Sequence, residues 1–424
     1  MKRTTTTPAA GATAMMQEAY QEIEESFERF CLKAGLATLT EMLEADASAL
    51  CGPRHGRSPV RTGHRWGRTR GKIEFHGGRV EVERPRVRSR GGEVPLPSWD
   101  AAEREDWLGR WAMNLMLINV STRKFGRAVR LPGGDVPAAK GDGRSKSAVS
   151  RRFVALSADH MAEWMASDLS SLDLLAIQID GIHIKEELLL VAAVGIDAQG
   201  SKHPLGAIEG ATESAATVQA LLDNLVGRGL DPLICRLFIV DGAKALTKAI
   251  RRTFGSHTPI QRCQVHKARN ITERLPKAMQ ASVRRTLRQA WELDDADKAE
   301  KLIRNLARRL EHDAPGVRDS ILEGLDEILT VNRLGLPAEL RRSLACTNII
   351  ENMNGTVRRV CRNVKHWRDA AMALRWTGAA MLEAAKGFRR LKAHRQLPIL
   401  KAALAAHGAR HTIKPVLERQ SAAA

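Results

Sequence analysis

Three carboxylates stand where packing alone does not explain them. Asp180 lies inside LLAIQIDGIHIK (residues 174–185), a run of strand-forming residues. Asp241 ends the apolar run LFIV and is followed by Gly242, and Glu351 falls in TNIIENMN, where a helix begins. An ionised carboxylate in an apolar setting is costly unless a cation or several donors satisfy it. If the three converge they repel one another. Two Mg²⁺ ions about 3.5–4 Å apart would relieve that repulsion and stabilise the attacking and leaving oxygens of a phosphodiester. Mg²⁺ takes hard oxygen ligands, which is what Asp and Glu supply.

Each acid also has a plain structural explanation. Asp180-Gly181 reads as a turn, although Ile182 and Ile184 carry the strand alternation past it. Asp241 would cap the following helix. Glu351, three residues after Asn348, fits a capping box with Asn348 as the N-cap. A second constellation, Cys263 and His266 in QRCQVHKARN, is half a zinc site without a second half.

The elements around these residues decide whether they can meet. Alternation predicts three successive strands over 174–185, 188–196 and 202–208, joined tightly enough to form an antiparallel meander. A helix follows over 213–227, then the buried strand ICRLFIVDG, the helix AKALTKAIRRTF and the strand PIQRCQV. This order matches a ribonuclease H-like mixed sheet, in which the first and fourth strands are neighbours, so Asp180 and Asp241 reach one edge together. A later helix brings Glu351 across. From about 276 to 335 every segment has helical spacing. The chain then runs through RRSLACTNIIENMNGTVRRV into a long helix with Leu374, Trp376, Met381 and Phe388.

The front of the chain is basic. The formal net charge is +19 over 424 residues, which favours a polyanionic partner, nucleic acid above all. Between Arg54 and Arg90 stand twelve Lys or Arg and three acids. There KIEFH and RVEVERPRVR predict a short hairpin with a basic face, fit to lie along a phosphate backbone. Residues 15–47 predict a packing or dimerisation helix, and 99–130 a helical block with Trp107, Trp111, Leu115 and Leu117 in its core. LPGGDVPAAKGDGR is a linker by its Gly and Pro content. In the segment after it, Val149, Phe153 and Leu156 share one helical face, and Lys146, Ser147, Ser150 and Arg151 lie largely off it. That is how a recognition helix is written; a basic amphipathic helix with no DNA role reads the same way.

Six cysteines without a Cys-x-x-Cys pair argue for a reducing cytoplasm and against a disulfide framework. The longest apolar run, 188–196, is about half of the roughly 20 residues a membrane span needs, and the start has no apolar h-region. No membrane role is expected.

QIDGIHIK, IVDGAKAL, QRCQVHKARNI and CTNIIENMNGTVRRV resemble bacterial insertion-sequence transposases related to the plant Mutator elements, a branch of the DDE transposases. The resemblance covers roughly residues 55 to 405. It implies that Asp180, Asp241 and Glu351 are catalytic metal ligands, and that Cys263 and His266, which match the family's Cys-x-x-His pattern, have a structural or active-site-adjacent role rather than a metal-binding one, with His266 near the scissile phosphate. It also implies that the helical segment between the second and third acids, which are 110 residues apart, interrupts the ribonuclease H-like core. Trp291 in that segment corresponds to a tryptophan such enzymes hold near DNA, or is a core residue. Two departures, a very short first hairpin and Gly-Ala-Lys after the second aspartate, leave Lys185, Lys244 and Lys267 as candidate DNA contacts.

The expected architecture is therefore α/β. It has an N-terminal helix and hairpin region (1–98), a helical DNA-binding domain (99–170) and a catalytic core in two parts (171–275 and 340–395). An all-helical insertion (276–339) separates those parts, and a tail (396–424) ends the chain. The expected function is DNA transposition with two Mg²⁺ ions, or Mn²⁺ in their place, acting on the terminal inverted repeats and on target DNA as a dimer or higher multimer. The rivals are a structure-specific nuclease or resolvase on the same fold, which would join nothing, and a transposase-derived DNA-binding regulator, which could lose the acids.

Overall fold

The computed structural model describes residues 10–421 except 55, 57, 58, 60, 76, 77, 105, 106, 122–144, 186, 187, 211–213, 315 and 363. The chain forms two compact units, Met1–Leu156 and Ser157–Ala424.

The first unit is built on a helix, α1 (Ala10–Cys51), and an antiparallel sheet of β1 (His64–Phe75), β2 (Gly78–Ser89) and β3 (Gly92–Val94). The alternation in RVEVERPRV turns Val80, Val82 and Val87 onto Leu43 and Ala47 of α1 and onto Trp99, as the period of a strand requires. The hairpin is longer than expected. β1 begins at His64 because HRWGRTRG, though rich in Arg and Gly, pairs across to β2, with a register shift between Arg65 and Arg68. Gly67 in that shift has φ +91°, a conformation glycine adopts without strain. Much of the basic face is paired within the unit: Arg65 with Glu44 at 2.8 Å, Arg79 and Arg152 with Glu74 at 3.1 and 2.6 Å, and Arg86 with Glu93 at 2.7 Å.

Helices α2 (Pro97–Arg104) and α3 (Trp107–Leu117) bear out the helical block as far as it is described. Leu117 is buried and Leu115 partly so, and the side chains of Trp107 and Trp111 lie outside the described residues, as does the linker. The next helix, α4 (Lys146–Ala166), spans the boundary of the units. Val149 and Phe153 are buried, while Lys146, Ser147, Ser150 and Arg151 are exposed.

The second unit holds a mixed five-stranded sheet in the order β6-β5-β4-β7-β8. Its strands are β4 (Leu174–Lys185), β5 (Leu188–Asp197), β6 (Lys202–Gly210), β7 (Leu237–Val240) and β8 (Ile260–Arg262). The first three form an antiparallel meander; β7 runs parallel to β4, and β8 parallel to β7. The crossovers are α5 (Ala215–Gly227) and α6 (Lys244–Phe254). Ser214 starts α5, its hydroxyl accepting the Thr217 N–H, the usual way to satisfy a free helix-start donor. Val218, Leu221, Leu222 and Leu225 of α5 and Leu246 and Ile250 of α6 cover one face of the sheet over Ile177, Ile179, Phe238 and Val240.

On the far side of β8 the chain is helical throughout its described part: α7 (Gln264–Thr272), α8 (Lys277–Glu292), α9 (Ala296–Asp313), α10 (Val317–Leu322), α11 (Leu325–Ile328) and α12 (Thr330–Arg333). These helices share a core of Val283, Leu287, Ile303, Leu306 and Leu310. Two buried polar side chains close the segment: Asn332 donates to the Trp291 and Leu293 carbonyls, and Arg341 to the Glu292 carbonyl.

Next come α13 (Ala338–Leu344), α14 (Asn348–Cys361), α15 (Ala370–Lys386) and α16 (Leu397–Ser421). The expected long helix containing Leu374, Trp376, Met381 and Phe388 is α15, which ends at Lys386. Asp369 caps α15, accepting the Met372 N–H at 2.7 Å, and Phe388 falls beyond its end. Nor is the last stretch a tail, since Leu397, Leu400 and Leu404 pack with Leu340 and Leu344 against the other sheet face at Leu237 and Ile239. Among the described residues no helix is long and apolar enough to cross a membrane.

Candidate active site

Strand alternation assigns the acids their face. Ile177 and Ile179 point into the core beneath α5 and α6, so Gln178 and Asp180 lie on the opposite face. The parallel ladder aligns Ala176 with Leu237, Ile177 with Phe238 and Gln178 with Ile239. Continuing that register sets Asp180 beside Asp241, the first residue beyond β7. There the chain turns sharply: Gly242 has φ +107°, and Asp241 Oδ1 accepts the Ala243 N–H at 2.9 Å. Asp241 is not the N-cap of α6; Ala243 holds that position, without a side-chain cap.

Glu351 is delivered by Gln178. This side chain is fully buried, which is tolerable only if its polar atoms are paired. Both are: Oε1 accepts the Ile350 N–H and Nε2 donates to the Cys346 carbonyl, each at 3.0 Å. The start of α14 is thereby fastened to the strand position two residues before Asp180. Glu351 in the first turn and Asn354 one turn on share a helical face. Asn354 Nδ2 donates to Asp180 Oδ2 at 3.0 Å, and Thr347 Oγ1 donates to Glu351 Oε1 at 2.8 Å. The capping-box expectation fails here, since the N-cap is Thr347 rather than Asn348 and no side-chain cap bond forms. Glu351 accepts from the Thr347 hydroxyl and faces His266 instead.

Cys263 and His266 arrive from the end of β8. Cys263 is the N-cap residue of α7 and is completely buried; His266, three residues on, extends Nε2 to 3.6 Å from Glu351 Oε1. Among the described residues, the Cys263, His266 and Glu351 ligand atoms lie within 4.8 Å of one another, whereas the three carboxylates do not close to that distance. The Cys263 sulfur is the strongest influence on His266 and, with Glu351 and Asp180, outweighs burial to raise the imidazole to about 9. Burial pushes the Cys263 thiol up, but its interactions with His266 and Thr347 win and bring it below the ordinary value.

Of the candidate DNA contacts, Lys244 is exposed at the start of α6, and the side chain of Lys185 lies outside the described residues. The expectation for Lys267 needs correction. It is 1% exposed and donates to the Glu323 carbonyl at 2.6 Å, and burial lowers its pKa to about 8. A cation so enclosed presents nothing to a phosphate. Trp291 is partly buried against the helical core and lines a cavity of about 510 Å³ with Arg269, Arg284, Arg288 and Arg342.

Sequence reasoning missed Gln178, Thr347 and Asn354. Two of them carried a signal. Gln178 is a second polar residue inside an apolar strand, at the spacing that shares a face with Asp180, and Asn354 stands one helical turn after Glu351. Arg262 was also missed: its buried side chain lies across Gly242, leaving no room for a Cβ there.

Comparison with known proteins gives one consistent result. The family model described as Transposase, Mutator family matches residues 6–390. The transposase for insertion sequence element IS6120 of Mycolicibacterium smegmatis is 30% identical over 280 residues, 65% of this chain and 85% of that protein. The transposase for IS256 in transposon Tn4001 of Staphylococcus aureus is 26% identical, covering 72% and 77% of the two chains. The transposase for IS1081 of Mycobacterium tuberculosis is 26% identical, covering 81% and 82%.

Proposed function

The chain belongs to the Mutator family of transposases, and we propose that it binds the terminal inverted repeats of its own element, cuts there and joins the freed ends to target DNA. We read the five-stranded sheet as a ribonuclease H-like core and the helices from Lys277 to Arg333 as its insertion. The reading is supported by the β4–β7 register, which pairs Gln178 with Ile239 and, if continued two residues, brings Asp180 beside Asp241 on the sheet face to which Gln178 fastens the start of α14.

Asp180, Asp241 and Glu351 would hold the divalent ions. The donor set suits Mg²⁺, being oxygen throughout. Bound there, Mg²⁺ would supply water activation at neutral pH and stabilisation of charge on the attacking and leaving oxygens. The chain's own residues do the positioning. Asn354 orients Asp180, Thr347 orients Glu351, and the Gln178 bracket fixes strand against helix. His266 stands beside Glu351, where an anionic phosphate would approach. No covalent enzyme intermediate is needed, because a hydroxyl, first of water and then of a DNA 3′ end, is the nucleophile in both steps. Basic segments before residue 157 would grip the ends, with two or more chains acting on paired ends.

The test uses labelled duplexes carrying the element ends, with Mg²⁺ and a target plasmid. The wild type is expected to cut at the ends and join them; Asp180→Asn is expected to bind the same duplex and do neither. Cleavage by Asp180→Asn at the wild-type rate would overturn the reading, and cutting without joining would favour a nuclease.

A further inference from the structure

We propose that Cys263, His266 and Glu351 form a binding site for a thiophilic divalent cation of the Zn²⁺ class, and that filling it withdraws Glu351 from the carboxylate site. In sequence, Cys263 and His266 are half of such a site; the fold brings the third ligand from a residue 85 positions beyond His266. Sulfur, nitrogen and oxygen ligand atoms lie within 4.8 Å of one another, and His266 Nε2 is 3.6 Å from Glu351 Oε1. Tetrahedral zinc bonds of about 2.3 Å to sulfur and about 2.0–2.2 Å to nitrogen and oxygen need those atoms to close by roughly 1 Å, within the reach of side-chain rotation.

The donor set chooses the metal. A thiolate and an imidazole suit Zn²⁺ and its relatives, whereas Mg²⁺ takes oxygen. The site is also partly formed and open. Cys263 is fixed by burial at the start of α7, while the His266 and Glu351 side chains are 25% and 37% exposed, leaving a way in and a fourth position for water.

Because Glu351 belongs to both sets, Zn²⁺ and Mg²⁺ compete for it. The competition rests on the catalytic reading above; the Zn²⁺ site itself does not. A cell with free Zn²⁺ would then hold the enzyme inactive.

The test is cobalt titration of the full-length, reduced, chelator-treated protein. Co²⁺ at this site gives a thiolate-to-metal charge-transfer band and tetrahedral visible bands, both removed by added Zn²⁺. Cys263→Ser is expected to abolish the band and weaken binding more than the roughly 10–100-fold typical of outer-shell changes. Glu351→Gln is expected to weaken binding as well, and serves should Cys263→Ser not fold. Asp241→Asn is expected to keep the band. A wild type with no band, or a band that survives both Cys263→Ser and Glu351→Gln, overturns the site. Cobalt binding as expected, with Mg²⁺-dependent cleavage indifferent to Zn²⁺, overturns the competition. A protein that shows the cobalt signature but never cuts element ends keeps the site and removes the catalytic reading instead.

Discussion

Gln178 receives the backbone N–H of Ile350 at 3.0 Å, so the strand that carries Asp180 and the helix that carries Glu351 are joined one and two residues away from the acids themselves. Gln178→Leu would keep the packing volume and leave the Ile350 N–H and the Cys346 carbonyl without their partner. Each buried group so orphaned costs roughly 1–3 kcal/mol. The expected outcome is a lower urea midpoint together with a cleavage rate down by about 100-fold, the scale of a 1 Å misplacement, while binding to end duplexes is unchanged. A variant as active as wild type would show that Glu351 does not depend on this bracket.

Gly242→Ala tests the turn that presents Asp241. The position has φ +107°, which costs an L-residue about 1–3 kcal/mol, and the Arg262 side chain fills the space a Cβ would take. Both effects act in the same direction. A fall in melting temperature and loss of cleavage are expected, and the double variant Gly242→Ala with Arg262→Ala should recover part of the stability because one of the two causes is gone. Equal melting temperatures for the single and double variants would leave backbone strain as the whole effect.

Glu327 gives a pH prediction away from the acids. Burial raises its pKa above the ordinary 4.5, against the lowering influence of Arg251, with which it pairs at 3.0 Å. A raised folded pKa means that the folded state holds the proton more tightly than the unfolded one. The associated stability is complete below the unfolded value and is lost as pH rises through the folded value. Glu327→Gln keeps an oxygen for Arg251 and removes the titration. Relative to wild type, the variant should gain stability as pH rises from about 4.5 to neutrality. Urea midpoints of both proteins across that range decide it; parallel curves would count against a raised Glu327.

The elements that could be read from the sequence were those with a clean period. The β4–β6 meander shows alternation over apolar residues, and its strand bounds agree with the sequence to within two residues. Where polar residues carry the structure, the sequence misled. β1 runs through HRWGRTRG because ladder pairing outweighs weak strand propensity. Glu351 and Asn348 have capping-box spacing, yet Thr347 takes the N-cap position and Glu351 accepts from its hydroxyl and faces His266. Lys267 looked like a surface cation because a lysine is seldom buried, and only the Glu323 carbonyl reveals why it is. The neighbouring positions of Asp180 and Asp241 could be inferred from element order. The resemblance also put His266 at the site, whereas its contact with Glu351 depends on how α7 and α14 meet.

If DNA lies against the arginine-lined cavity, charge and stacking can be separated there. Arg288 is exposed on α8 and shares the cavity with Trp291. If Arg288 meets a phosphate, Arg288→Ala releases one fewer counterion, so the slope of log affinity against log salt should become shallower by about 1. Trp291→Ala should leave that slope alone. Loss of a base stacked on the indole would weaken binding by about 1–3 kcal/mol at every salt concentration. The core role of Trp291 predicts something else, a lowered melting temperature with DNA affinity intact. Binding isotherms for both variants across a salt series, read beside their melting temperatures, assign the indole to DNA or to the core. An unchanged slope in Arg288→Ala would move the phosphate path away from this cavity.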